Sequence, residues 1–71
     1  MGNIDVEKIK EKYQPGTKIR VLEMKDPFPV ESGSAGVVDY VDDIGNVHCV
    51  FENSRRIAVI PGVDRFVRYS V

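Results

Sequence analysis

The chain has no tryptophan, one cysteine and one histidine. It also lacks a long apolar run and an excess of either charge. Each shortage removes a class of protein. A single cysteine, Cys49, cannot close an internal disulfide, so no covalent staple supports the fold. No stretch approaches the roughly 18 apolar residues of a membrane span, and none resembles the apolar segment of a secretion signal, so the expected compartment is the cytoplasm. Ten basic and eleven acidic residues leave a net charge of -1. No overall field draws such a chain to phosphate or to a membrane surface.

What is present suits one small domain. Ordering 71 residues costs on the order of 100 kcal/mol of conformational entropy at about 1.5 kcal/mol per residue. Most of the 42% apolar residues must therefore share one core. Few large side chains remain to line a deep pocket.

The pattern divides at Pro15. Residues 1–14 predict a short helix: Ile4, Ile9 and Tyr13 fall near one stripe, Asn3 or Asp5 can cap it, and acids precede Lys8, Lys10 and Lys12. So short a helix must dock through Ile9 and Tyr13 or fray. From residue 15 to 71 the signals are those of strands and turns. Pro15-Gly16 suits a type II turn. Residues 17–24 alternate, with Ile19 and Val21 on one face and Lys18 and Arg20 on the other. "KDPFPVESGSAG" holds two prolines and two glycines and reads as a loop.

"GVVDYVDD" and "NVHCVFE" flank Asp43-Ile44-Gly45-Asn46 and predict a hairpin, with Val47, Cys49 and Phe51 inward and His48, Val50 and Glu52 outward. Asn53-Ser54 predicts a second turn, residues 55–60 a strand with Ile57 and Val59 inward, Pro61-Gly62 a third turn, and "RFVRYSV" a last strand. The expected fold is mainly β: a small five-stranded antiparallel SH3-like barrel, its edges protected by closure, with a short N-terminal helix.

The segments "PGTKIRVLEMKDP", "GVVDYVDDIGNVHCVFEN" and "IAVIPGVD" together resemble a family of small bacterial and phage proteins, the domain of unknown function DUF4314, over residues 13–67. The resemblance implies an SH3-like barrel and a home in bacteria, their phages and mobile elements. It implies no activity and carries no functional residues. Family members usually have tryptophan where Phe51 stands and a glycine near Ser54, so this chain departs at one core aromatic and one turn.

No catalytic, cofactor or metal site is expected. His48 and Cys49, as strand neighbours, face opposite ways and cannot easily share one ion. Asp42, Asp43 and Asn46 are expected to satisfy backbone donors in the turn, with His48 partly solvated. Cys49 points inward, away from any base, and behaves as a small hydrophobe. Three binding readings follow. In the first, Phe28, Tyr40 and Tyr69 line a groove for a protein or peptide partner, unless Phe28 and Tyr69 instead close the barrel ends as core.

In the second, Lys18, Arg20, Arg55, Arg56 and Arg68, with Arg65 nearby, grip nucleic acid beside Tyr69, against the dilution of Asp39, Asp42, Glu52 and Asp64. In the third, the domain joins an assembly through β-augmentation or its helix. The expected function is a non-enzymatic binding or adaptor module for a protein or peptide, monomeric or weakly oligomeric, with nucleic acid as the alternative ligand.

Overall fold

A computed structural model describes residues 5–69. The expectations placed on Asn3, Ile4 and the last two residues lie outside that range. Helix α1 spans Val6–Lys12. Asp5 caps it from an extended conformation, its side chain accepting from the Lys8 N–H at 3.3 Å. Glu7 lies in the first turn and Lys10 and Lys12 in the last, matching the helix dipole. So short a helix is unstable alone. Tyr13, which is buried, and Ile9, packed on the core, hold it in place. The chain then reverses as expected: Thr17 N–H donates to Gln14 C=O at 3.0 Å, with Gly16 at φ +93.

Five strands follow: β1 Lys18–Glu23, β2 Ala35–Val41, β3 Val47–Phe51, β4 Arg56–Val59 and β5 Arg65–Arg68. All pair antiparallel in one sheet of order β4-β3-β2-β1-β5. The mainly β class and the strand count agree with the sequence reading. The closure does not, because among the described residues β4 and β5 end the order with no ladder between them, leaving an open sheet. Alternation fills one face. Ile19, Val21, Val47 and Val59 are fully buried, and Val38, Cys49 and Phe51 nearly so. Ile57 packs against this core, as does Phe66 of β5, whose ring lies 5.3 Å from that of Tyr13.

Two irregularities re-aim side chains. A register shift between Val21 and Glu23 leaves Leu22 and Glu23 both outside and brings Met24 back to the buried face. A second, between Val38 and Tyr40, skips Asp39 and sets Tyr40 opposite His48. Close packing also explains a glycine: a Cβ on Gly36 would come within 2.8 Å of the Phe51 ring.

Asp64 corrects the sequence reading. It is not a surface acid that dilutes a cationic field but a buried carboxylate. One oxygen accepts from Lys25 N–H and the other from Ile60 N–H, both at 2.8 Å. It thereby ties the end of β1 to the corner between β4 and β5.

Candidate binding surfaces

The acidic turn is built around one residue. Asp42 Oδ1 accepts from Ile44 N–H at 3.1 Å and Asn46 N–H at 2.9 Å, while Oδ2 lies 2.8 Å from His48 Nε2. The hydrogen bond from His48, reinforced by those from the backbone, holds the Asp42 carboxyl below its ordinary range. The expected sharing of this task among Asp42, Asp43 and Asn46 is not seen. Asp43 points to solvent near Lys10 at 3.8 Å, and Asn46 contributes its backbone. His48 is partly solvated, as expected, but the sequence did not reveal its stacking on Tyr40, with centroids 4.3 Å apart and planes within 4°. The bulge at Asp39 creates that pair, and no local signal marks a bulge.

Burial, with a smaller push from the Asp39 charge, raises the Cys49 thiol to about 12. Such a group is a core side chain at neutral pH. Among the described residues no cluster of three or more His, Cys, Asp or Glu is arranged to hold a metal ion.

The three aromatic candidates do not share a groove. Phe28 is 77% exposed at the tip of the β1–β2 loop, so it is not the core plug that the competing reading made it. Its loop is pinned from both sides. Asp26 accepts from Phe28 N–H at 2.8 Å, Arg55 donates to Pro29 C=O at 3.1 Å, Ser32 to Leu22 C=O at 2.7 Å, and Arg20 to Gly33 C=O at 2.7 Å. Tyr40 lies outward on β2, in a shallow depression with Arg56 and Ala58. Tyr69 follows β5, half-buried, with the Arg20 guanidinium 5.1 Å from its ring centroid.

The cationic candidates separate into two groups. Lys18, Arg20 and Arg68 come together around Tyr69, joined by Lys12, which the sequence reading did not include. Arg68 donates to Lys12 C=O at 3.3 Å. Arg55 and Arg56 lie elsewhere. Arg55 serves the loop and Arg56 pairs with Asp39 at 3.2 Å, near the far edge of the sheet. In register, Lys18 faces Val37, Val37 faces Val50 and Val50 faces Arg56, which separates the two groups by three strand spacings, about 14 Å.

The model of a family described as a domain of unknown function (DUF4314) matches residues 3–69. The chain belongs to this family. No curated protein and no solved structure matches it. In this DUF4314 domain the match covers the helix and all five strands, so both surfaces just described lie inside the family's unit. The two departures noted from the resemblance now have positions. Phe51 is the ring cradled by Gly36, and Ser54 adopts φ +64, the left-handed region that glycine occupies without strain. No helix among the described residues is long and apolar enough to cross a membrane.

Proposed function

We propose that this chain is a non-enzymatic binding module for a protein partner, built as an SH3-like barrel left open between β4 and β5 and working in the cytoplasm of bacteria or in a phage or mobile-element setting. The strand order supports the barrel reading: β1 to β4 form a meander, and β5 returns to the outer side of β1. The observation that carries the function is Phe28. A pinned loop holds this aromatic ring between two prolines and exposes it to water. An ordered aromatic knob contributes large contact area to an interface at little further entropic cost.

The test compares the wild-type chain with Phe28→Ala. Partners captured by the wild type are purified and titrated with both. The variant keeps its melting temperature, because the ring packs on nothing essential, and binds about tenfold or more weakly. Equal affinity for the two chains sinks the reading.

Nucleic acid is the second reading, favoured by the convergence of Lys12, Lys18, Arg20 and Arg68. It requires retention on a polyanion matrix at low salt and a steep fall with added salt. A chain that flows through at low salt disposes of it.

A further inference from the structure

The outer edge of the sheet at β5 lies beside a groove whose chemistry selects its occupant. Tyr69 N–H donates to Lys18 C=O at 3.1 Å, so Lys18 with Tyr69, and then Arg20 with Val67, are the hydrogen-bonded pairs of the β1–β5 ladder. Alternation therefore turns the N–H and C=O groups of Phe66 and Arg68 away from β1. β5 ends the sheet order, so those groups face the open side. The groove lies at the C-terminus of α1 beside the end of β5, with Tyr13 and Phe66 as its apolar lining.

The charge around the groove has one sign. Lys12, Lys18 and Arg68 line it, and Arg20 lies over Tyr69. Among the described residues no acidic side chain comes within ion-pair distance of any of these four. Arg20 and Arg68 each direct an N–H at a neutral carbonyl, which leaves their charge uncompensated. Charged edges repel unwanted strands. Here the charged side chains that line the groove are all cations, so an acidic strand is attracted where a basic one is repelled.

We propose that this groove takes an extended acidic segment of the partner protein as an added strand, its backbone pairing with Phe66 and Arg68, its carboxylates on one face meeting Lys12 and Arg68 and those on the other meeting Lys18 and Arg20. The inference rests on the protein-binding reading but uses a surface remote in sequence from Phe28. A peptide fits better than a nucleic acid. The Tyr69 ring is half-buried with one face toward Arg20, Tyr13 is buried, and the Tyr13 and Phe66 rings are tilted by 50°. That leaves little parallel platform for bases to stack upon, whereas exposed edge amides match a peptide backbone.

The test titrates isotope-labelled full chain with three short peptides: one alternating pairs of glutamates with pairs of valines, so that both faces of the strand carry carboxylates, its lysine counterpart, and the acidic peptide N-methylated at alternate residues. A single-stranded oligothymidylate is the fourth probe. The acidic peptide is expected to shift the amide signals of Phe66 to Tyr69 and to slow hydrogen exchange at Phe66 and Arg68. Its affinity should fall with salt. The lysine and methylated peptides should bind at least about tenfold more weakly. Arg68→Glu should abolish the shifts, and Lys18→Glu, at an exposed position that makes no fold contact through its ammonium, should weaken them if Arg68→Glu unfolds.

An acidic peptide that shifts nothing, or binds equally well when methylated, overturns the proposal. So does an oligothymidylate that binds the same residues more tightly, or groove signals that move with the chain's own concentration, which would make a second copy the occupant. Phe28→Ala leaves this binding unchanged. Failure of the groove is thus distinguishable from failure of the Phe28 surface.

Discussion

Ser54 holds φ at +64, where an L side chain crowds its own backbone. Its turn follows the same plan as the one at Gly45. Phe51 N–H donates to Arg55 C=O and Ser54 N–H to Phe51 C=O, just as Asp42 N–H donates to Asn46 C=O and Gly45 N–H to Asp42 C=O. One turn has the glycine that this geometry favours and the other does not. Ser54→Gly should therefore stabilise the chain by about 1 kcal/mol and raise its melting temperature by several degrees. Scanning calorimetry would show it, and a lower melting temperature would count against the strain. Cys49 gives a second expectation at this scale. Its thiol is buried, pushed up to about 12, and within 3.5 Å of Val47 C=O. Scarcely any thiolate exists at pH 8, so alkylation should proceed only through unfolding and its rate should rise with added denaturant. Modification of the native chain at the rate of an unfolded peptide would contradict the burial.

Hairpin β2–β3 carries two expectations at the scale of an element. Asp42 joins three donors at the turn, and its carboxyl titrates below its ordinary value of 3.8. A folded pKa below the unfolded one means that the added stability is complete above pH 3.8 and is lost as pH falls through the lower, folded value. Amide exchange at Ile44 and Asn46 should accelerate in that acid window, and Asp42→Asn should exchange faster at neutral pH with little further acid dependence. The second expectation concerns the cradle of Phe51. Gly36→Ala should cost about 1–3 kcal/mol because a buried ring 2.8 Å away must move. The double variant with Phe51→Leu should cost less than the sum of the singles, and strict additivity in a double-mutant cycle would remove the steric explanation.

Across the whole molecule, Asp64 ties together segments far apart in the chain. Its two oxygens satisfy Lys25 and Ile60, closing the corner that no ladder closes. Asp64→Asn keeps one acceptor but sets an NH2 against the other backbone donor. Leaving that donor unpaired should cost about 1–3 kcal/mol in urea unfolding. An unchanged midpoint would mean that the corner stands without the carboxylate.

Alternation and turn chemistry are local properties, and they were legible in the chain. Val47, Cys49 and Phe51 turn inward because strand side chains alternate, Pro15-Gly16 reverses the chain because its dihedrals are preset, and Asp5 caps α1 because a short acceptor precedes an amphipathic run. Positions that depend on register were not legible. A one-residue bulge at Asp39 set Tyr40 on His48, the return of β5 gathered Lys12, Lys18, Arg20 and Arg68 while leaving Arg55 and Arg56 apart, and Asp64 changed from a surface charge into a clamp. Composition counts charges without placing them. Only long-range pairing determines which charges meet and which are enclosed, because a shift of one residue moves every later side chain to the opposite face.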